Sequence, residues 1–272
     1  MNIFDDNNVL LLIFSILPAL FYSFIIFARV PYGTLKVRPS LIYLLIGLTS
    51  VTILGFFQFT FPHIQDFVDY NIIGSAEDGF LSLIRKPTVF GIFIKAFFQI
   101  ALLEELSKFI AFKLGNFSRG KYSIRKDKPF SIMFYAAMIS VGFAFIENIS
   151  YAARAIWGDF HAMGIEPEHV LMVRSISAVV LHMIAGLFMG YFLSVSRRFK
   201  PLRKALFAFI GIMSAVFIHG AYDFLLMIPN SAASSTVIGG IPIHIPTMTL
   251  LALGIMTAYF MASNLLKRSK KN

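Results

Sequence analysis

The sequence predicts an all-α membrane protein, a polytopic bundle of about seven transmembrane helices that forms one membrane-embedded domain over residues 1–272. The first observation behind this is composition: 57% of the residues are hydrophobic, 31 are phenylalanine and only 14% are charged. Such a balance is typical of polytopic membrane proteins rather than of soluble domains. The second observation is a series of span-length apolar stretches, and the third is the alternation of charge in the loops between them.

Seven apolar stretches have about the length that a helix needs to cross a bilayer. They cover residues 9–28, 41–61, 88–112, 130–155, 171–195, 205–228 and 244–266. The first is not followed by a small-residue cleavage site, so we interpret it as a retained helix rather than a signal peptide.

The loop charges predict the orientation of these helices. Loops 29–40, 113–129 and 196–204 are basic, as is the KRSKK tail, whereas the N-terminus and loops 62–87 and 156–170 carry most of the acidic residues. By the positive-inside rule, the N-terminus lies outside and the C-terminus in the cytosol. The net charge of +10 is therefore explained by topology. We expect a multi-pass protein of the cell membrane that contacts the lipid bilayer and no nucleic acid.

Acidic and imidazole groups lie inside four consecutive apolar stretches, where a charge costs about 2.5–3.5 kcal/mol on insertion scales. Because a helix rises about 1.5 Å per residue, most of these groups fall within roughly 10 Å of the midplane. The sequence therefore predicts a shared polar pocket formed by Glu104, Glu105, Glu147, His182, His219 and Asp223.

Small residues share helical faces with these polar groups, which favours faces that point into the bundle. The two stripes are Ala178, His182, Gly186 and Gly190 on one helix, and Gly211, Ala215, His219 and Asp223 on the next. The i,i+4 spacing of His219 and Asp223 allows the carboxylate to orient the imidazole.

Each residue also has a purely structural interpretation. Glu104 and Lys108, four residues apart, suit a structural ion pair as well as catalysis. Glu147 and Asn148 suit hydrogen bonds between helices, and His182 alone suits packing. We expect the remaining polar groups to be peripheral. Lys95, Arg154 and Arg174 are predicted to extend to the outer interface, and His63, His161, His169 and His244 to lie in loops or at the interface.

A carboxylate beside two imidazoles can activate a water molecule for hydrolysis. The imidazoles, with Asn148, can stabilise an oxyanion, or they can hold a metal together with a carboxylate. The sequence contains no HExxH, no GxSxG and no aspartate pair of the aspartic-protease type, and with no cysteine it has no thiol nucleophile.

Four motifs in order carry a family resemblance: EELSK (104–108), FAFIEN (143–148), RSISAVVLHMIAGLFMG (174–190) and HGAYDF (219–224). Together they resemble the PrsW family of intramembrane proteases, a branch of the superfamily that contains type II CAAX prenyl proteases and bacteriocin-processing homologues. The resemblance covers roughly residues 88–228, which we take as the catalytic core.

The resemblance implies a multi-pass endopeptidase whose substrate is a single-span membrane protein similar to an anti-sigma factor, cut on its extracytoplasmic side. It implies four catalytic residues, Glu104, Glu105, His182 and His219, supported by Glu147, Asn148, Asp223 and Lys108. Glu147–Asn148 stands where prenyl proteases have a histidine, which argues against CAAX processing. Zinc held by His182, His219 and Glu147 and a metal-free, glutamate-activated water both remain open.

The main alternative is a proton- or ion-coupled transporter or channel, because Glu, Asp and His chains also form proton relays. Transporters favour discontinuous helices in matched halves, and neither 88–112 nor 205–228 contains proline. A seven-helix retinal-type receptor would need a lysine in the last span, and 244–266 has none. A family member that has lost activity would not need the complete motif set.

Overall fold

A computed structural model describes residues 6–29, 37–60, 89–118, 128–157, 167–228, 235–238 and 241–269. These ranges contain seven long helices, with α3 counted as one helix of three consecutive segments. They are α1 (Asp6–Arg29), α2 (Val37–Thr60), α3 (89–118), α4 (Pro129–Ile156), α5 (Pro167–Ser196), α6 (Pro201–Met227) and α7 (Ile245–Ser269). The predicted all-α class is confirmed. A small antiparallel hairpin of β1 (Ser235–Ile238) and β2 (Ile241–His244) precedes α7.

Five of these helices, α2, α4, α5, α6 and α7, are long and apolar enough to span a membrane. The described side chains of α1 give a shorter apolar run, Ile13–Ile25. α3 is divided by a change of helix type and carries Glu104, Glu105 and Lys108. The described parts of α1 and α3 are therefore not among the helices that are long and apolar enough to span a membrane. Large apolar side chains on the outer faces are more than half exposed, as lipid contact requires: Phe24, Phe59, Phe209 and Phe260.

α3 begins as an α-helix (Val89–Ile94), widens into a π-helix (Lys95–Ala101) and continues as an α-helix (Leu102–Ser118). The Leu102 N–H donates to the Phe97 carbonyl, five residues earlier, rather than four as in an α-helix. Wide turns of this kind are rare, and they occur frequently at functional sites. This one ends three residues before Glu104.

α4 and α5 form the centre of the bundle, with α1 and α2 against α4, and α6 and α7 against α5. Glycines allow the closest approaches. A Cβ on Gly47 of α2 would overlap the backbone of Ile139, and one on Gly142 of α4 would overlap the backbone of Leu44. A Cβ on Gly186 of α5 would lie 2.5 Å from Ser140 Oγ and 2.9 Å from the Ala136 carbonyl oxygen of α4. The prediction that the stripe containing His182 faces the bundle is therefore confirmed.

Candidate active site

One turn of α3, immediately after the π-helical segment, supplies three charged side chains. Lys108 is the centre of the group: its Nζ lies 2.7 Å from Glu105 Oε1 and 3.6 Å from Glu104 Oε2. The sequence spacing suggested a Glu104–Lys108 pair, but the shorter contact joins Lys108 to Glu105, three residues before it. Both spacings place side chains on one helical face, so spacing alone does not select between them.

His182 of α5 links this cluster to α4. Its Nδ1 lies 2.9 Å from Lys108 Nζ, and its Nε2 lies 2.8 Å from Glu147 Oε2. Because an ammonium group only donates, Nδ1 must accept from Lys108, and the Nε2–H then donates to Glu147. These two neighbours fix the tautomer and the ring orientation of His182. His182 is thus a bonded member of the cluster rather than an apolar packing residue.

His219 of α6 faces carboxylates on both sides of its ring. Nδ1 lies 2.9 Å from Glu105 Oε1, while Nε2 lies 3.3 Å from Asp223 Oδ2 and 3.8 Å from Glu104 Oε2. The rings of His182 and His219 are perpendicular, with centroids 4.8 Å apart. The structure therefore brings together residues from α3, α4, α5 and α6, as the common membrane depth suggested.

Arg174 is the residue that the sequence reasoning placed wrongly. Rather than extending to the interface, its Nη2 lies 2.8 Å from Glu147 Oε2, and its Nε donates to Asn148 Oδ1 at 3.1 Å. Its guanidinium also stacks 3.6 Å from the Tyr151 ring centroid. The predicted span began at 171, but α5 begins at Pro167, which places Arg174 two turns inside the helix. The unpaired charge of Glu147 was the signal that a cationic partner must exist.

The other peripheral assignments have mixed outcomes. His244, predicted to lie in a loop or at the interface, is 8% exposed where β2 meets α7. Arg154 is part-buried, with its guanidinium 5.7 Å from the Tyr151 ring. His63, His161 and the side chain of His169 lie outside the described part of the chain.

A cavity of about 420 Å³ opens between the C-terminal half of α2 and α3, and Glu104 lies in its wall. The lining is mostly apolar, with four polar residues, Gln58, Lys95, Gln99 and Glu104. The Glu104 side chain is 10% exposed, and its Oε2 has no hydrogen-bond partner among the described residues. The Glu105 side chain is 0% exposed. Only the first of the paired glutamates lines this cavity.

Glu104, His182 and His219 can each direct one ligand atom into a group whose members all lie within 4.8 Å of one another. A carboxylate with two imidazoles is a ligand set of catalytic zinc sites, in which bonds of about 2.0–2.1 Å place ligand atoms about 3.3 Å apart. The residue types and Glu104 Oε2, which has no hydrogen-bond partner among the described residues, fit such an ion, for which His182 Nδ1 would exchange its contact with Lys108. Glu147, which the sequence analysis included in the metal set, instead bonds to His182 and Arg174, the position of a residue that orients a ligand.

The fold is that of a multi-pass membrane protein, and it contains a buried acid–imidazole centre to which four helices contribute. The family model described as PrsW family intramembrane metalloprotease matches residues 42–258, which include every residue of the centre. The chain belongs to this family, and the resemblance predicted from the four motifs is confirmed.

Four curated relatives that match this chain bear the name Protease PrsW. The protein of Oceanobacillus iheyensis is 33% identical over 135 residues, which are 50% of this chain and 55% of the relative. The proteins of Geobacillus kaustophilus and Bacillus subtilis are 27% and 26% identical over 49% and 50% of this chain, and over 52% and 56% of their own lengths. The chain thus spans about half the length of the curated relatives it matches. No solved structure matches it.

Proposed function

We propose that the protein is an intramembrane endopeptidase of the bacterial cell membrane that hydrolyses a peptide bond in or near the transmembrane segment of a membrane-anchored protein. One observation carries the proposal: Glu104 lines a cavity, its Oε2 has no hydrogen-bond partner among the described residues, and two histidines lie beside it. The family match supports peptide-bond hydrolysis as the reaction. A single-span protein similar to an anti-sigma factor is the substrate that we propose.

The two glutamates have different roles in this proposal. Glu104 is the general base: it accepts a proton from a water molecule whose oxygen attacks the substrate carbonyl carbon. When the C–N bond breaks, the same proton passes to the leaving amine. Glu105 is a positioning residue, because its Oε1 holds both Lys108 (2.7 Å) and His219 (2.9 Å) and its side chain does not reach the cavity.

His219 is the imidazole that would stabilise the negative charge on the carbonyl oxygen, because its Nε2 lies 3.8 Å from Glu104 Oε2, beside the proposed base. Glu104, His182 and His219 would hold a zinc ion, which when bound supplies Lewis-acid activation of water and carbonyl. Glu104 has two oxygens, so it can hold an ion through one and accept a proton through the other. His182 is oriented as a ligand by Glu147, which accepts from its Nε2–H and is in turn held by Arg174.

The test is cleavage of tagged single-span membrane proteins in reconstituted vesicles. Because a general base contributes about 10²–10⁴-fold, we expect Glu104→Gln to lower the cleavage rate by at least a factor of about 100. Thr257→Val, on the exposed face of α7, is the control and should cleave like the wild type. A Glu104→Gln protein that cleaves at the wild-type rate would exclude Glu104 as the base.

A zinc chelator separates the two versions of the mechanism. Activity that is lost on chelation and restored by added zinc supports the metal version, and activity that survives chelation supports water activation by Glu104 alone.

The second candidate function is proton or ion transport. It is favoured by a continuous line of polar contacts from Glu147 through His182, Lys108, Glu105 and His219 to Asp223. The test uses the same reconstituted vesicles. If the wild type conducts protons, His182→Ala does not, and neither cleaves a substrate, the protein is a transporter rather than a protease.

A further inference from the structure

Gln99 is a part-buried polar side chain that the proposed reaction leaves without a use. It lies in the π-helical segment of α3 and lines the same cavity as Glu104. Its amide nitrogen and its amide oxygen are both buried, and neither has a hydrogen-bond partner among the described residues. An unpaired buried amide is costly, so one in the wall of a cavity indicates a ligand that pairs with it.

The chemistry of the amide indicates the ligand. A glutamine side chain offers one carbonyl acceptor and an NH₂ donor, which match the N–H and the C=O of a peptide unit. In an intact helix those backbone groups are already bonded to each other, whereas an unwound stretch inside a membrane must find partners on protein. Gln99 can supply both partners.

The shape of the cavity favours a short extended segment. A helix with its side chains is about 10–12 Å wide, whereas this cavity has a volume of only about 420 Å³. The rest of its wall is apolar, which suits the side chains of a transmembrane substrate: Leu54, Phe57, Phe98, Leu102 and Leu103.

The π-helical segment explains how Gln99 and Glu104 come to face one cavity. They are five residues apart, and in a regular α-helix such residues lie about 140° apart around the axis. A π-helical turn is wider, with bonds from residue i to residue i+5, so the π-helical part of this interval, 99–101, reduces that angle, while the part from Leu102 is α-helical. Lys95, which opens the segment, lines the cavity as well.

We propose that the cavity between α2 and α3 binds an unwound, apolar segment of the substrate, and that Gln99 pairs with the substrate backbone next to the bond presented to Glu104. The inference rests on the proposed function and adds to it the place and the form in which the substrate binds.

Site-specific cross-linking tests the place. A photoreactive amino acid replaces Phe98, which lines the cavity and is 53% exposed, or Tyr259, which is 71% exposed on α7. Both variants carry Glu104→Gln so that bound substrate persists, and the probe is a tagged single-span protein that the wild type cleaves. We expect cross-links from position 98 and none from position 259.

Kinetics test the role of Gln99. Gln99→Leu keeps a similar length but removes both hydrogen-bonding groups, and we expect its kcat/KM to fall at least 10-fold. Gln99→Glu keeps an acceptor, loses the donor and should be intermediate. Cleavage by the wild type together with either no cross-link from position 98 or an unchanged kcat/KM for Gln99→Leu would overturn this inference and leave the protease intact. Absence of cleavage by the wild type would overturn both.

Discussion

Lys108 is a buried cation in the centre, and it is 1% exposed. Its ammonium group holds Glu105 at 2.7 Å and His182 at 2.9 Å, and it lies 4.1 Å from the centroid of the Phe143 ring. A cation here compensates the buried carboxylates and fixes the tautomer of His182. Lys108 therefore contributes both to the stability of the fold and to the protonation state of His182.

We expect Lys108→Met to lower the free energy of unfolding by about 3–5 kcal/mol, because it leaves the buried Glu105 carboxylate without its cation. In the double variant with Glu105→Gln, part of this loss should be recovered, because both charges are then removed. Equilibrium unfolding in detergent measures all three variants. Strictly additive effects of the two substitutions would show that the contact carries no coupling.

Arg174 acts through Glu147 rather than on substrate. Its planar fork reaches Glu147 and Asn148 at the same time and stacks on Tyr151, which a lysine cannot reproduce. We expect Arg174→Lys to lower the cleavage rate about 10-fold or more while the protein stays folded. Arg154→Lys, on the edge of the same tyrosine, is the matched control and should keep its rate. Equal effects of the two substitutions would contradict a specific role for Arg174.

The sequence predicted well which residues lie together in the buried centre, and it predicted poorly which side chains contact each other there. The insertion cost of a buried charge selected Glu104, Glu147, His182 and His219, because such residues need a polar interior. It did not select which glutamate Lys108 contacts, since that depends on side-chain rotamers. It missed Arg174, because arginine near a predicted helix end usually extends to the interface.

Among the elements, α2 and α4 depend on contact between their backbones at Gly47 and Gly142. A Cβ on Gly142 would overlap the Leu44 carbonyl oxygen, and the helices must move apart to relieve it. Gly55, farther along α2, provides the contrast, because a Cβ there would meet nothing within 4 Å.

We expect Gly142→Ala to destabilise the protein by about 1–3 kcal/mol through overpacking. Gly55→Ala should be neutral or stabilising by up to about 1 kcal/mol, because alanine is the better helix former. Unfolding of both variants in the same detergent gives the comparison. A loss of stability in Gly55→Ala as large as in Gly142→Ala would indicate a general glycine effect rather than helix contact.

The π-helical segment of α3 was beyond the reach of the sequence reasoning. The pattern of 88–112 is that of one apolar helix, and helical periodicity does not distinguish an α-helical turn from a single wider one. The segment positions Gln99 and Lys95 beside the cavity, so the missed feature is also the one that shapes the proposed binding surface.

At the scale of the whole molecule, every predicted span coincides with a helix, because span length and hydropathy follow directly from bilayer thickness. The orientation of the bundle remains a prediction from loop charge. The chain contains no cysteine, so single cysteines can be introduced into an otherwise unlabelled background.

We expect a cysteine in loop 196–204 to react with a membrane-impermeant maleimide only from the cytosolic side, and one in loop 62–87 to react in intact cells from outside. In the same cysteine-free background, a single cysteine in place of Phe98 would label the cavity between α2 and α3. Labelling of loop 196–204 in intact cells would show that the predicted orientation is wrong and that this loop lies outside.

The contact between Glu147 and Arg174 has a consequence for biogenesis. Glu147 lies on α4 and Arg174 on α5, so each helix emerges from the ribosome with a charge that its partner compensates at 2.8 Å. Alone, each charge opposes partitioning into lipid by about 2.5–3.5 kcal/mol. α3, by contrast, contains Lys108 as a counter-ion for Glu105 on the same helix. We therefore expect α4 to wait for α5, so that the two enter the bilayer as a helical hairpin.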